Sequence, residues 1–342
     1  MITTFGGYSP RFFVWTEIMG MNHWPGEITG RSRRLAEGRL RSMIEDFIQQ
    51  HRLPAEFYRD IEAYYLPLAI WLAESHQTNN TLVVGISGGQ GTGKSTLAEF
   101  IGQALVQLGF NCCTFSLDDI YLTQSQRRQL SHEIHPLLRT RGVPGTHDVP
   151  LGMETLAALC KSNEQSRIPL PRFDKSKDER VPKDLWPVHK GRVDIVLLEG
   201  WCLGARPSAT PLQPINSLEG SEDASGVWRE FINRQLEGPY RELFNWVDTM
   251  VMLRAPGMEA IFTWRKLQEK KLRERTGAGM QDVELDRFIE HYERITRNLM
   301  LDMPTWADCV LFLGEDHRVQ GSWLAGGVES ERAKTPDLPG SS

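Results

Sequence analysis

The chain lacks several features that would direct it to a membrane, to nucleic acid or to an oxidising compartment. No apolar run in its 342 residues approaches the roughly 18–20 that a helix needs to cross a bilayer. The N-terminus has no basic, apolar, small-residue order of a signal peptide. A membrane partner is therefore not expected, and neither is nucleic acid, because the net charge of -5 leaves no global basic field. The five cysteines, Cys112, Cys113, Cys160, Cys202 and Cys309, are odd in number and scattered. They provide neither a disulfide framework nor zinc-ligand spacing, so a reducing cytoplasm is expected. Internal repeats are also missing.

What is present reads as an ordinary globular composition, with a length that suits one large α/β domain with insertions or two smaller ones. Residues 1–30 are rich in Gly, Trp and Phe with little periodicity, and read as a flexible extension or as the product of a start upstream of Met43. Residues 31–78 form a helical preface. Leu40, Met43, Ile44 and Phe47 share one face, Pro54 breaks the run, and Ile61, Tyr64, Tyr65 and Leu68 make a second stripe. Residues 79–325 alternate strands (81–86, 112–117, 193–198, 249–253, 309–313) with helices (151–161, 227–246, 259–275, 283–300). Such alternation predicts a three-layer α/β/α sandwich around a mostly parallel sheet, with ligands at the carboxyl ends of the strands. Residues 204–225, rich in Pro, Ser, Gly and acids, read as a surface loop, and 326–342 as a disordered tail.

The most specific signal is Gly88-Gly89-Gln90-Gly91-Thr92-Gly93-Lys94-Ser95, a G-x-x-x-x-G-K-S phosphate-binding loop. Small residues let backbone N–H groups curl around a polyphosphate. Lys94 can reach the β- and γ-phosphates, and the Ser95 hydroxyl can ligand Mg²⁺. The branched apolar run before the loop is its strand. Leu97, Phe100, Ile101, Leu105 and Leu108 after it define a helical face whose positive end points at the phosphates. Residues 88–96, with Thr96 closing the turn, are therefore the expected ATP site. No N-K-x-D guanine-reading motif is present, which disfavours GTP.

Two strand ends carry acids. The second strand runs out through Ser116-Leu117-Asp118-Asp119-Ile120-Tyr121 beside the phosphate loop. Side chains alternate along an extended chain, so one aspartate can face the γ-phosphate and an acceptor hydroxyl while the other caps the following helix. The third strand ends in Glu199-Gly200-Trp201, and Glu199 would hold Mg²⁺ directly or through water.

Taken together, G-G-x-G-x-G-K-S-T, S-L-D-D-x-Y-L-T and the apolar strand ending E-G-W resemble the D-glycerate 3-kinase family of P-loop small-molecule kinases. That wider group includes uridine kinase, phosphoribulokinase and bacterial pantothenate kinase. The segments at 141–148 (R-G-V-P-G-T-H-D) and 171–176 (P-R-F-D-K-S), with Gly279-Met280, extend the resemblance over roughly residues 80–320. One departure is Ile120, where the family often has Phe.

The resemblance implies an ATP- and Mg²⁺-dependent kinase with a small anionic acceptor. It selects Asp118 as general base, with Tyr121 beside it, and leaves Asp119 a supporting or capping role. Arg141, His147, Asp148, Arg172, Asp174, Lys175 and Arg180 are the expected acceptor-binding residues, since Arg in particular offers a fork that suits a carboxylate. The basic helix over 264–275 corresponds to a lid. It would bring Arg265, Arg273 and Arg275 over the phosphates to stabilise transition-state charge. Its i,i+4 spacing also allows Glu269–Arg273 and Lys270–Glu274 pairs.

Overall fold

A computed structural model describes residues 24–210, 212–276 and 280–325. The expected extension over 1–30 and tail over 326–342 therefore lie wholly or largely outside the described residues, as do Gly277 and Gly279.

The core is a six-stranded sheet in the order β10-β9-β8-β1-β7-β2. Its strands are β1 (Leu82–Gly88), β2 (Cys112–Ser116), β7 (Ile195–Gly200), β8 (Thr249–Arg254), β9 (Cys309–Leu313) and β10 (Val319–Leu324). The first five are parallel to their neighbours, and β10 closes the edge antiparallel to β9. Strand β1 lies in the middle, so the loop that follows it has β7 on one side and β8 on the other. Four short strands, β3 (Arg167–Pro169), β4 (Phe173–Asp174), β5 (Glu179–Arg180) and β6 (Val188–Lys190), form two small ribbons, β3-β6 and β4-β5.

The strands bury both faces because their apolar runs are nearly continuous. Val83, Val196, Leu198, Met250 and Met252 enter one core, and Val84, Ile86, Leu197, Val251 and Leu253 the other. The second core is covered by α4 (Lys94–Gln107) and by the helical preface, α1 (Gly26–Glu37), α2 (Arg41–Gln50) and α3 (Leu66–Ser75). Phe100 of α4 joins them, edge-on to Phe47 at 5.2 Å and tilted against Tyr65 at 5.8 Å. The first core is covered by α6 (Val149–Cys160), α7 (Val227–Glu237) and α9 (Asp282–Asp302), while α5 (Gln124–Glu133) lies beside the site and α8 (Met258–Thr276) packs into the second core. The architecture is the expected α/β/α sandwich with a mostly parallel sheet. No helix among the described residues is long and apolar enough to cross a membrane.

Three expectations change. The helix over 227–246 is two helices, because Gly238 ends α7 and Pro239 starts a separate turn, Pro239–Phe244. Strand β10 was not expected. Its Gly321 and Ser322 break the apolar pattern, and its register slips between Val319 and Gly321. The segment 204–225 is not simply a surface loop. It contains the helix Ser217–Glu222, and Glu219 and Asp223 are fully buried. Arg229, itself buried, meets Asp223 at 2.8 Å and Glu219 at 3.7 Å, and Arg294 meets Glu219 at 2.5 Å.

Candidate active site

The phosphate loop leaves β1 at Gly88 and enters α4 at Lys94. Glycine is required here. Gly91 and Gly93 have φ of 76° and 91°, and a Cβ on Gly88 would lie 2.8 Å from the Leu253 carbonyl oxygen. Within the loop the Thr92 hydroxyl donates to Gly89 O at 2.8 Å, and Lys94 Nζ donates to the same oxygen at 3.0 Å. Burial lowers the Lys94 pKa against the opposing pull of Glu199 and Asp118. Gly91 faces Trp264 and the backbone of Arg265 on α8, and the Gln90 side chain meets the Tyr292 hydroxyl.

Behind the loop, Ser95 Oγ donates to Glu199 Oε1 at 3.2 Å, and Ser116 Oγ donates to the same oxygen at 2.8 Å. Ser116 also receives the Asp118 N–H at 3.2 Å. Hydroxyl and carboxylate oxygens are hard donors that suit Mg²⁺, which commonly takes one or two protein ligands and fills its shell with phosphate and water. No group of three His, Cys, Asp or Glu side chains that could hold a metal ion occurs among the described residues. Ser95 and Glu199 are the pair that could hold the ion.

The strand-end aspartates do not alternate along an extended chain. Residues Leu117–Ile120 form a tight helical turn capped by Ser116. The turn separates the acids in a different way. Asp118 accepts the Tyr121 hydroxyl at 2.7 Å and Lys175 Nζ at 2.5 Å. Burial works to raise its pKa, but the Lys175 charge and the two hydrogen bonds carry it below the usual value. Asp119 is buried, accepts Arg172 at 2.6 Å and the Phe173 N–H at 3.2 Å, and is shifted upward, chiefly by burial. It caps no helix; α5 is capped by Thr123 in a capping box with Gln126.

The remaining acceptor-side residues form ion pairs around this turn. Arg180 bridges Asp148 at 3.0 Å and the Tyr121 carbonyl at 2.9 Å, and Asp148 also caps α6. Arg141 pairs with Asp178, which meets Arg127 at 2.8 Å, and its guanidinium lies over the Phe173 ring. Asp174 turns inward on its own loop, accepting from Ser176 Oγ at 2.6 Å. His147 is buried. It stacks on Tyr121 at 4.6 Å and meets the Tyr240 hydroxyl at 2.5 Å, while its Nε2 finds no hydrogen-bond partner among the described residues.

On the lid side, Arg265 lies over Phe288 at 5.2 Å and pairs with buried Glu269 at 2.9 Å. Lys270 and Glu274 meet at 4.0 Å. Arg273 is half-buried farther along α8, and the Arg275 side chain lies outside the described residues.

Sequence reasoning missed Ser116, Asp178, Tyr240 and Tyr292. Ser116 could have been found, since it precedes the two aspartates at the same strand end. Tyr292 could not, because on α9 it reads as one more core aromatic. Its hydroxyl donates to the Arg141 carbonyl at 2.9 Å, and its ring meets Trp201 edge-on at 4.8 Å. Trp201 Nε1 in turn donates to the Gly142 carbonyl at 3.0 Å.

A parallel sheet with the phosphate loop after its middle strand and acids at the two adjacent strand ends defines the P-loop kinase class. Comparisons with known proteins narrow this. No protein-family model matches the chain. It is 30% identical over 246 residues to the chloroplastic D-glycerate 3-kinase of Arabidopsis thaliana, covering 67% of this chain and 52% of that protein. It is 32% identical over 220 residues to mug58, an uncharacterized kinase of Schizosaccharomyces pombe, covering 61% of this chain and 78% of that one. The solved structure of a D-glycerate 3-kinase from Cryptococcus neoformans superimposes with a TM-score of 0.61 at 26% identity, covering 76% of this chain and 96% of the other. The chain belongs to the D-glycerate 3-kinase family. It spans about half the length of the Arabidopsis relative.

Proposed function

We propose that this protein is an ATP- and Mg²⁺-dependent kinase that phosphorylates the C3 hydroxyl of D-glycerate, giving 3-phosphoglycerate and ADP. The observation that carries this reading is the position of Asp118. It is a carboxylate whose charge acts on Lys94 of the phosphate loop, it accepts Lys175 Nζ at 2.5 Å, and its neighbour Asp119 holds Arg172.

The chemistry follows from placement. The backbone amides of residues 88–96 and the Lys94 ammonium hold the β- and γ-phosphates at the N-terminus of α4. Ser95 and Glu199 would hold Mg²⁺, which would supply neutralisation of phosphate charge. Asp118, oriented by Tyr121, accepts the proton of the attacking hydroxyl. Arg265, with Arg273 and Arg275 on the same helix, covers the phosphates and stabilises charge in the transition state. Arg141, Arg172, Lys175 and Arg180 form the cationic wall that favours an anionic acceptor, and Asp148, Asp174 and His147 shape that wall rather than touch the substrate. All five cysteines are free, which supports a reducing compartment such as the cytoplasm.

The test is ADP release by the purified protein with ATP and a panel of D-glycerate, L-glycerate, glycolate, uridine and pantothenate. D-glycerate is expected to give the largest stimulation. Brisk turnover with another acceptor and none with D-glycerate would refute the substrate, and equal turnover with no acceptor would mark an ATPase instead.

A further inference from the structure

Each acceptor-side cation already has a carboxylate. Arg172 holds Asp119, Arg180 holds Asp148, and Arg141 shares Asp178 with Arg127. An incoming acid must therefore displace a resident one, and the four cations differ in how readily they can be released. Arg180 is tied to Asp148 and to a backbone carbonyl, and its side chain is only 18% exposed. Arg141 is fixed by Asp178 and by its seat over the Phe173 ring. Arg172 and its carboxylate together anchor the β4 backbone through the Phe173 N–H. Lys175 is different. Its side chain is 59% exposed, and Asp118 is the one partner recorded for its ammonium among the described residues. An ammonium on a flexible four-carbon stem can swing between two anions at little cost, because one ion pair replaces another.

We propose that Lys175 is a carboxylate gate: the acceptor's carboxylate takes the Lys175 ammonium from Asp118, and only then is the Asp118 Oδ2 oxygen free to receive the hydroxyl proton. This rests on the kinase function proposed above and adds the reason for its acid specificity. The acceptor O–H bond breaks and its proton passes to Asp118 Oδ2. The acceptor oxygen bonds to the γ-phosphorus, and the bond from that phosphorus to the β–γ bridging oxygen breaks, leaving ADP. Asp118 Oδ1 keeps the Tyr121 hydrogen bond throughout, so the carboxylate does not rotate away. An acceptor with hydroxyls but no carboxylate leaves Lys175 on the base and the base occupied.

The experiment compares D-glycerate with glycerol, which replaces the carboxylate by a hydroxymethyl group, in wild type, Lys175→Met and Lys175→Arg. In Lys175→Met, kcat/KM for D-glycerate should fall about 100-fold, as for loss of one partner of a close charge pair, and that for glycerol should hold or rise, because no ammonium then occupies the base. The preference for the acid then collapses, and Lys175→Arg restores part of it. The acid limb of the kcat/KM profile of Lys175→Met should also move to higher pH, a change that a purely structural role would not cause. Equal losses on the two acceptors would overturn the gate and assign Lys175 to the phosphoryl group or the fold, while leaving D-glycerate as the substrate. Failure of the function itself is read separately, in wild type alone, as a preference for glycerol over every acid tried, and it would overturn both.

Discussion

Arg172 meets Asp119 at 2.6 Å, and the other oxygen of that carboxylate takes the Phe173 N–H at 3.2 Å. Two adjacent aspartates on one turn thus do different work. Asp119 clips the end of β2 to the β4-β5 ribbon, and that ribbon leads into the loop that carries Lys175. Asp118 stays at the mouth of the site.

The two should separate on substitution. Asp118→Asn is expected to lower kcat by about 10²- to 10⁴-fold, the usual worth of a positioned base, with ATP affinity nearly unchanged. Asp119→Ala leaves Arg172 and a buried N–H unpaired, and is expected to cost about 1–3 kcal/mol of stability while raising the acceptor KM. Steady-state kinetics beside urea denaturation read both. Full activity in Asp118→Asn would sink the base assignment.

How much of this was readable beforehand depends on the range of each interaction. The donor half is local: a strand, a glycine loop and a helix within residues 82–107 carry their own pattern. The five parallel strands were legible because buried strands are continuous apolar runs. The acceptor half is not local. Lys175 and Asp118 are 57 positions apart, and nothing in their immediate surroundings marks them as a pair. Glu219 and Asp223 looked solvated because the arginines that neutralise them lie on other helices. The break at Gly238-Pro239 was written in the chain and was overridden by apolar periodicity on either side.

Tyr292 ties α9 to the acceptor loop through the Arg141 carbonyl. Tyr292→Phe removes the hydroxyl's hydrogen bonds to the Arg141 carbonyl and to Gln90 and should cost about 1–2 kcal/mol, with a several-fold rise in the acceptor KM. Gly142→Ala should be harsher. Gly142 has a φ of 131°, and a Cβ there would lie 2.2 Å from the Tyr292 hydroxyl. A loss of about 2 kcal/mol or more is expected. Acceptor kinetics identical to wild type in both variants would remove α9 from the site.

The cluster of Arg229 with Asp223 and Glu219 is buried on all sides. Arg229→Met keeps the volume but strands the buried Asp223, while Glu219 keeps Arg294, so it should destabilise by about 3 kcal/mol or more. An exposed pair such as Arg33–Glu62 should contribute about 0–1 kcal/mol when broken. Urea midpoints compare the two. A loss at Arg229 no larger than that at Arg33 would mean that water reaches the cluster.

His147 makes stability depend on pH. Burial lowers its pKa to about 4 from an ordinary 6.5, against the opposing pull of the Asp118 charge. Between those values the unfolded chain binds a proton that the folded chain refuses. The penalty begins as pH falls through about 6.5, grows to about 4, and is constant below that, where both states are protonated. Its full size is about 3 kcal/mol for a shift of this magnitude. Carboxylates titrate in the same range, so the measurement is a difference. Unfolding free energies of wild type and His147→Asn, whose amide can still meet Tyr240, are compared from pH 7 to pH 4. The wild type should lose more stability than the variant over that interval, with the divergence starting near pH 6.5. Parallel curves would mean that His147 is protonated in the folded protein and paired with Asp118.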